Sequence, residues 1–594
     1  MIKKIINRKI IIILILLTLV SFTTVKVAST NSLNLKVSRP EYTEEFKAWL
    51  ELSDEEKQKV LMPKMFVSSK KDNSKTYIFG NAHNVLKKID VLQSSSQKSF
   101  RLIDYIPENL TIKNQKDTKT CWAFSSIAAL ETTLAMQNYK NSKPVKVYDF
   151  SERHMEYSTV RSYFLNGKLN LMGFTRDIKN GGNFYMAMAY LTNGLGAINE
   201  PDMPFENNMN YIDISNIENK TVQTTVKDIK EFPDLTDTNR LEMIGLIKHH
   251  IENYGAVSAS CFNADIDSPY FNNSTGALYV NIANNMCDHA IALVGWNDNY
   301  SKDNFNEDYR PSSNGAWIAK NSWGERLEYT ITQLRQKFFN ALQDELIGEG
   351  ILSPNQIPAE SIIQALKEAY GESKVTTSED GTKVYVEIGD KGFIYVSYED
   401  LHIYNLLMGI QNASDSKEYD NIYQNDYLGP ENAITVQTNE NVYVANVFTR
   451  DNTNETESLT AVNAYSFEGG QYELYINPNG SDKSLSSLQK VEFKEGSTCQ
   501  VEQGYHVLEL KNPIHLSGNS FTVVLKTDEK NIPVESKIEK VPYWRNAIVN
   551  PGESFFSTES AILQNVWQDL AEGEDEEHKR KCMYKGIYKE YKFE

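Results

Sequence analysis

KNQKDTKTCWAFSSIAALETTLAMQ, residues 113–137, encodes a helix that opens on a cysteine. After Cys121, apolar residues recur at helical spacing, at Phe124, Ile127, Leu130 and Leu134. At a helix N-terminus, the macrodipole and the free N–H groups stabilise a thiolate, which is the form that attacks a carbonyl. A cysteine taken alone is more often a buried, inert residue, so other groups have to support a nucleophile here.

Three further groups provide that support. Gln115 lies six residues upstream, where its side-chain amide can stabilise an oxyanion together with the Cys121 N–H. His289 stands in CDHAIALVGW, at the start of a strand-like apolar run, and Asn321 stands in GAWIAKNSWG, just after another. A thiolate, an imidazole and an amide that orients the imidazole form a Cys-His-Asn triad.

These motifs resemble the papain-like cysteine peptidases. The matching pieces follow the family's order across residues 100–400, at Gln115, 121–125, 180–182, 288–290 and 320–324. The interval between Cys121 and His289 is longer than the roughly 130–150 residues typical of the family, so insertions are expected. The resemblance implies an α+β fold in which a helical half and a β-barrel-like half form a two-subdomain peptidase.

The resemblance also implies roles for the catalytic residues. Cys121 would attack the scissile carbonyl, with Gln115 in the oxyanion hole. His289 would form the thiolate–imidazolium pair and then protonate the leaving amine, while Asn321 fixes the ring and Trp323 shields their hydrogen bond from water.

Substrate-binding residues follow from the same resemblance. Gly182 would present its backbone to an extended substrate. The family positions that line the pocket for the second residue before the cut are Phe184, Ser260, Cys287 and Ala290. Ordinary core packing is the alternative interpretation for these four residues.

The chain begins with a pattern typical of a secretory signal peptide. Four basic residues lie in the first nine, residues 10–22 are almost wholly apolar, and small residues at Ala28 and Ser29 suit cleavage. The apolar run is shorter than the roughly 20 residues of a spanning helix. We therefore predict a signal peptide over residues 1–29 and a secreted, extracellular protein, with cell-wall association as a further alternative.

Charge and cysteine content exclude several classes of protein. The 594 residues contain 79 acidic and 61 basic side chains, a net charge of −18, which opposes nucleic-acid binding. Five cysteines are too few for a disulfide-rich scaffold. Cys261, Cys499 and Cys582 are interpreted as small apolar residues, and the adjacent His249 and His250 favour surface exposure over metal ligation. We predict no catalytic metal and no cofactor.

The rest of the chain divides into three further parts. Residues 30–99 are predicted to be a propeptide, with helical signals over 44–60, a capping box at Ser53 and Glu56, and a serine-rich linker at 92–99 where processing is expected. Residues 100–402 form the peptidase domain, opened by a strand at 100–106. Residues 403–594 alternate apolar and polar residues between Gly, Asn and Pro clusters, which indicates an antiparallel β-sandwich.

The order of these units resembles the clostridial secreted or cell-wall cysteine peptidases with a lectin-like domain. Two departures from the papain pattern stand out. Thr118 replaces the cysteine that usually precedes the nucleophile by three residues, so that disulfide is absent. About residues 326–390 form an insertion with helical stripes at 331–346 and 362–369. We expect it to lack a full core of its own and to pack on the peptidase, either as a packing subdomain or as a lid.

The predicted function is a secreted cysteine endopeptidase made as a zymogen. Its expected partners are protein or peptide substrates and, for the C-terminal domain, a glycan or cell-surface ligand. A cell-wall amidase or transamidase also uses cysteine and histidine, but Gln115 and the 321–323 motif oppose it. The non-enzyme alternative is a glycan-binding adhesin with a vestigial peptidase.

Overall fold

The computed structural model describes most of the chain beyond residue 36. The described residues are 37–66, 97–160, 173–206, 217, 220–235, 239–262, 268–282, 286–430, 432–450, 457–536, 549–572, 580–582 and 586–590, except 39, 58 and 175. The predicted signal peptide and residues 92–96 of the linker lie outside this set.

The N-terminal segment, residues 37–66, forms one strand and two short helices. These are β1 Val37–Ser38, α1 Glu44–Leu50 and α2 Asp54–Lys57. The Ser53 backbone N–H donates to Glu56 Oε2 at 2.8 Å, and the Glu56 N–H donates to Ser53 Oγ at 3.3 Å. This reciprocal pair is the predicted capping box, which is confirmed. Phe46 and Trp49 on α1 stack at 5.6 Å and are fully buried.

The helical half of the next unit is built around the cysteine helix. Its helices are α3 Cys121–Lys140, α4 Glu152–Ser158 and α5 Phe184–Thr192. Every α3 residue from Cys121 to Met136 is buried, because the helix lies between the two halves. Ser125 Oγ donates to the carbonyl of Ile291 at 2.7 Å, and Thr133 Oγ1 donates to that of Ile410 at 3.0 Å.

The β half supplies most of the sheet beside α3. Its first elements are β2 Ser99–Arg101, β3 Thr225–Glu231, α6 Arg240–Asn253, β4 Val257–Cys261, β5 Phe271–Asn272, β6 Ala277–Leu278, β7 His289–Asn297 and β8 Ala316–Lys320. The predicted strand at 100–106 is wrong beyond Arg101, where a 3-10 turn, Leu102–Asp104, follows. Leu102 and Ile106 are both fully buried because they share one helical turn, joined by a 2.9 Å backbone hydrogen bond.

The insertion folds around its own core. It contains β9 Arg326–Thr330, α7 Ile331–Ala341, α8 Gln343–Gly348, α9 Ala359–Tyr370, β10 Val375–Thr377 and β11 Lys383–Glu387. Its three strands form a separate sheet in the order β10-β11-β9. The helices close a hydrophobic cluster drawn from the insertion alone: Ile331, Leu334, Ile357, Ile362, Leu366, Val375, Val384 and Val386. The expectation that it lacks a full core is therefore wrong, because the strands complete what the helices begin.

Two strands follow the insertion and return to the β half. They are β12 Phe393–Ser397, which pairs with β8, and β13 Leu407–Ser414, which pairs with both β3 and β4. The strand β13 lies after the predicted domain limit at residue 402, yet it is an interior strand of the sheet beside α3.

The C-terminal sandwich, residues 421–590, is antiparallel as predicted. Its strands are β14 Asn421–Tyr423, β15 Asn432–Val436, β16 Val442–Thr449, β17 Glu457–Ser466, β18 Gly470–Asn477, β19 Gln489–Val491, β20 Cys499–Val501, β21 Gly504–Leu516, β22 Ser520–Thr527, β23 Asn531–Ser536, β24 Ser554–Thr558, β25 Gln568–Asp569, β26 Arg580–Cys582 and β27 Gly586–Glu590, with the helical turn α10 Glu559–Ile562. Alternate residues of these strands fill one core between the sheets.

One sheet continues through both large units. Its order is β14-β27-β17-β21-β3-β13-β4-β7-β8-β12-β6-β5, with β2 added at β7. The junction is the pairing of β21 with β3, where Gly504 lies opposite Lys230. Gly504 has φ +128, and a Cβ there would lie 2.0 Å from the Ile229 carbonyl oxygen. Only glycine permits this approach, so the junction depends on the glycine at position 504.

The N-terminal segment contacts both units. Strand β1 pairs with β15 at the edge of a four-stranded sheet, β1-β15-β23-β26, in the C-terminal sandwich. Phe46, Leu61 and Phe66 share one hydrophobic cluster with Cys121 and Trp122 of the helical half. The segment is thereby fixed across the two units.

Candidate active site

Cys121 is the first residue of α3, and its thiol is covered. Its N-cap residue Thr120 makes no side-chain cap, and the Ala123 N–H donates to the Thr120 carbonyl at 2.9 Å. Burial raises the pKa of the Cys121 thiol to about 12, although hydrogen bonds from the backbone N–H groups of Ala290 and Trp122 lower it. In this form of the chain the sulfur is therefore a neutral thiol beside the residue that follows His289.

His289 and Asn321 are joined by a buried hydrogen bond. His289 Nε2 and Asn321 Oδ1 are 2.8 Å apart, so Nε2 carries the proton and Nδ1 is the ring atom available for proton transfer. The indole of Trp323 stacks on the imidazole at a centroid distance of 4.7 Å and an angle of 28°. The side chain of Trp323 thus covers the ring that the amide orients.

Gln115 is held against the loop that follows β8. Its backbone N–H donates to the Ser322 carbonyl at 2.7 Å, and its Oε1 accepts from Ser322 Oγ at 2.6 Å. Its Nε2 donates to the Thr118 carbonyl at 2.7 Å. An amide nitrogen has two hydrogens, so one N–H of this buried side chain is left for a further acceptor.

Gly182 lies against the residue that follows the cysteine. A Cβ at Gly182 would meet the indole of Trp122 at 2.4 Å, so the position requires glycine. The guanidinium of Arg176 is fully buried and donates both to Glu156, at 2.9 Å, and to the Asn180 carbonyl, at 2.8 Å. Arg176 therefore anchors the loop that carries Gly182, a role that no motif around Arg176 indicates.

The structure brings three of the four predicted pocket residues together. A single pocket is lined by Phe184, Ser260 and Cys287, together with Asn183, Asn405, Leu406 and Leu61, Met62 and Pro63 of the N-terminal segment. Ala290 lies opposite Ser260 in the β4–β7 pairing and is buried in the same hydrophobic cluster as Cys287, but it does not line this pocket. Asn405 and Leu406 were missed because they follow β12 without a motif.

The N-terminal segment enters this pocket by a backbone contact. The N–H of Leu61 donates to the Cys287 carbonyl at 2.5 Å, in a bridge of antiparallel type. The same segment closes on itself, because Thr43 Oγ1 donates to the Lys64 carbonyl at 2.6 Å. A peptide strand of the chain itself thus lies where the predicted substrate would bind.

An ionic cluster around Lys113, with two buried acids and one exposed acid, was also missed. Lys113 Nζ lies 2.9 Å from Glu131, 2.9 Å from Glu152 and 2.7 Å from Asp149. Burial lowers the pKa of Lys113, yet the three carboxylates hold it well above its usual range. The Lys113 carbonyl accepts from Gly324 at 2.9 Å, so the cluster links α3 to the loop of the Asn–Ser–Trp motif. The available signal was a lysine two residues before Gln115.

Other histidines and cysteines occupy structural positions. His250 on α6 is buried, which corrects the expected surface exposure, because its ring packs on the backbone of Gly409, where a Cβ would lie 2.4 Å away. Cys261 and Cys499 are buried free thiols, as predicted, and the Cys582 side chain lies outside the description. Over the described residues, no group of three His, Cys, Asp or Glu side chains is arranged to hold a metal ion.

Two family profiles match consecutive parts of the chain. Residues 104–330 match the papain family cysteine protease, and residues 422–583 match the lectin-like domain. The chain carries a papain-family cysteine peptidase domain followed by a lectin-like domain. The predicted two-subdomain α+β fold with a C-terminal β-sandwich is thereby confirmed. Within the described part of the chain, no helix has the length and apolar character needed to cross a membrane.

Solved structures with the same two domains share this fold. The cysteine protease and lectin-like domains of Cwp84, a surface layer associated protein of Clostridium difficile, superpose with a TM-score of 0.64 at 22% identity, covering 94% of this chain and 100% of that one. The structure of Cwp84 after propeptide cleavage superposes with a TM-score of 0.59 at 24% sequence identity, and the match covers 83% of this chain and 99% of that one. Falcipain-2b of Plasmodium falciparum is 25% identical over 215 residues, 36% of this chain and 37% of that protein. The chain thus spans little more than a third of this curated relative.

Proposed function

We propose that the protein is a secreted cysteine endopeptidase, made as a zymogen, that hydrolyses peptide bonds through Cys121, His289 and Asn321. The observation that carries the proposal is the buried 2.8 Å hydrogen bond between His289 and Asn321, which the indole of Trp323 covers. The Cys121 thiol accepts a hydrogen bond from the backbone N–H of Ala290, the residue after His289. This arrangement supplies a nucleophile, an oriented proton carrier and water exclusion in one site.

Acylation transfers one proton and breaks one bond. The Cys121 thiol gives its proton to His289 Nδ1, and the thiolate then attacks the scissile carbonyl carbon. The resulting oxyanion accepts hydrogen bonds from the Cys121 backbone N–H and the Gln115 amide. His289 returns the proton to the leaving nitrogen, so the amine departs and a thioester with Cys121 remains.

Deacylation repeats the same steps with water. His289 takes a proton from water, the hydroxide attacks the thioester, and the thiol leaves with that proton. Asn321 holds the ring in position through both half-reactions, so it is a positioning residue. Its loss should reduce the rate while the chemistry survives.

Substrate binding uses the pocket and the Gly182 loop. The bridge from Leu61 to the Cys287 carbonyl supports an extended backbone in this cleft, since it is a strand-type hydrogen bond. Phe184, Ser260 and Cys287 would then accept a side chain of the substrate. Ala290 is assigned to the wall between this pocket and the thiol.

Latency follows from what fills the cleft. Residues 61–63 of the N-terminal segment line the pocket, and burial holds the Cys121 thiol neutral. We assign residues 30–99 as the propeptide, with processing in the linker at 92–99, and residues 100–402 and 403–594 as the two mature domains. Release of the segment would hydrate the thiol and open the cleft together.

The proposed extracellular location rests on the signal-peptide pattern at the N-terminus and on the similarity of the chain to Cwp84. Cwp84 is described as a surface layer associated protein, and a similar location would suit a secreted peptidase. We assign to the lectin-like domain a glycan or cell-surface ligand, by analogy with its fold alone.

A peptide library tests the proposed function. The purified chain is processed, freed of its N-terminal segment and incubated with the library and an epoxide inhibitor of cysteine peptidases. We expect hydrolysis that the inhibitor abolishes, and the matched control Cys499→Ala, which removes a buried thiol of the lectin-like domain, should keep the activity. Hydrolysis that resists the inhibitor would contradict the proposal.

A further inference from the structure

A second pocket adjoins the predicted substrate pocket. Asn405 and Leu406 line both, so the two are continuous along the cleft. The second pocket is also lined by two acids, Glu231 and Asp234, and by Lys64 of the N-terminal segment. The strand that enters the first pocket at Leu61 thus reaches the second three residues later.

Lys64 fills this second pocket as a cation. Its Nζ lies 2.6 Å from Asp234 Oδ1, with the lysine side chain 10% exposed and the aspartate 26% exposed. Glu231 is buried, which raises its pKa, and the charge of Lys64 opposes that rise. A charge-assisted contact this short and this sheltered is stronger than a surface ion pair.

The lectin-like domain holds the buried acid in place. Tyr465 Oη donates to Glu231 Oε1 at 2.5 Å, and Gln503 Nε2 lies 3.5 Å from Glu231 Oε2. The Glu231 N–H also donates to the Gln503 carbonyl at 3.1 Å. Tyr465 and Gln503 are neutral donors, so they fix the side chain of Glu231 without supplying a positive charge. When Lys64 departs on processing, the two acids lose this cation, and a basic side chain in the same place would restore the 2.6 Å contact with Asp234.

We infer that Glu231 and Asp234 form a subsite for a basic side chain of the substrate. The subsite takes a lysine or arginine three residues from the position that corresponds to Leu61, a reach of about 10 Å for extended chain. The inference rests on the proposed function, and it makes the lectin-like domain part of substrate selection. The propeptide residue Lys64 occupies the place of that substrate side chain.

A binding experiment tests the subsite without catalysis. The Cys121→Ala protein, processed and freed of its N-terminal segment, is titrated with the synthetic peptide KVLMPKMF, residues 59–66, and with the same peptide carrying Lys64→Gln. We expect the glutamine peptide to bind about tenfold more weakly, as the loss of one charge-assisted hydrogen bond predicts. Equal affinities would overturn the inference.

The protein side of the pair is tested by substitution. In Glu231→Gln/Asp234→Asn the two peptides should bind alike, whereas in the control Glu492→Gln, which alters an exposed acid paired with Lys511, the tenfold difference should persist. The milder Asp234→Asn, at the more exposed acid, should shrink the difference if the double variant fails to fold. A difference that survives in each folded variant would overturn the subsite.

A substrate scan separates this inference from the proposed function. The active processed enzyme is given fluorogenic peptides with lysine or glutamine at each position around the pocket residue. We expect a lysine preference in kcat/KM of about tenfold at a spacing of three residues. Hydrolysis without any such preference would overturn the subsite and leave the peptidase intact. Absence of hydrolysis alongside the binding difference would sink the proposed function and support the subsite.

Discussion

The backbone N–H of Leu61 donates to the Cys287 carbonyl at 2.5 Å, two residues before His289. This contact adds a residue of the N-terminal segment to the wall of the predicted substrate pocket. It connects the segment that we assign as the propeptide with the strand that carries the proposed catalytic base. We therefore expect the N-terminal segment to occupy the cleft and the Cys121 thiol to be buried in the same form of the protein.

The reactivity of Cys121 should report this state. With a pKa of about 12, roughly one thiol in ten thousand is ionised at pH 8. Because the raised pKa favours the neutral thiol below pH 12, alkylation of Cys121 by iodoacetamide in the unprocessed chain should be slow and rise about tenfold per pH unit from 7 to 10. Peptide mass spectrometry follows the site.

Processing should remove this behaviour. Once the segment leaves, His289 pairs with the thiolate, and alkylation should become fast and nearly independent of pH around neutrality. An unprocessed chain whose Cys121 already reacts fast at pH 7 would mean that the segment does not protect the thiol.

The junction between the two domains should depend on Gly504. Its Cβ position lies 2.0 Å from the Ile229 carbonyl oxygen, so Gly504→Ala must separate β21 from β3. We expect the free energy of unfolding to fall by at least about 2 kcal/mol, and calorimetry to show two unfolding transitions in place of one. The control Gly552→Ala has a positive φ of +86 but no neighbour within 4 Å, and should cost only about 1 kcal/mol. Equal effects would place the junction elsewhere.

The insertion should fold when excised. Arg326 and Glu387 are paired at the ends of β9 and β11, and the cluster between them contains only insertion residues. A fragment of residues 326–388 should therefore melt cooperatively by circular dichroism. Ile362→Ala, at a buried site, should destabilise it by about 2–5 kcal/mol. The control Leu352→Ala, at a residue that is 70% exposed, should change the stability of the fragment little. An unfolded fragment would show that the insertion needs the peptidase domain to fold.

Reducing agents should leave the melting temperature unchanged. The chain has five cysteines, and in the part that the structure describes none of Cys121, Cys261, Cys287 and Cys499 forms a disulfide. A fold that relies on no bridge among these four residues should not respond to reduction. Differential scanning calorimetry with and without millimolar reductant measures this, and a fall of several degrees under reduction would reveal a disulfide.

Local motifs made the site predictable. Cys121, His289 and Asn321 each lie at the end of a helix or strand that the local sequence pattern predicts. The order of these motifs resembles that of the papain family, and this order predicted that the three residues lie close together. Arg176 and Lys113 were not predictable in this way. Their roles depend on carboxylates far away in sequence, Glu156 and Glu131, and a single charged residue in a loop carries no such information.

Long-range pairing accounts for the main differences in the fold. The sandwich strands were readable from alternation, but nothing local showed that β21 would pair with β3 and extend one sheet through both domains. The strand β13 reads like the start of the sandwich and lies instead inside the peptidase sheet. In the insertion, helical stripes were read and the short strands were not, although residues 383–387, KVYVE, alternate between buried and half-buried positions.

The most direct test of the catalytic assignment is to measure kcat/KM of processed variants with one peptide substrate. We predict that Cys121→Ala abolishes hydrolysis, that His289→Ala lowers it nearly as far, at least about 1,000-fold, and that Asn321→Ala leaves partial activity, since Asn321 orients the ring without reacting. Cys499→Ala should match the parent. Peptidase activity retained by purified, folded Cys121→Ala would contradict the account, because neither His289 nor Asn321 can replace the attacking thiolate.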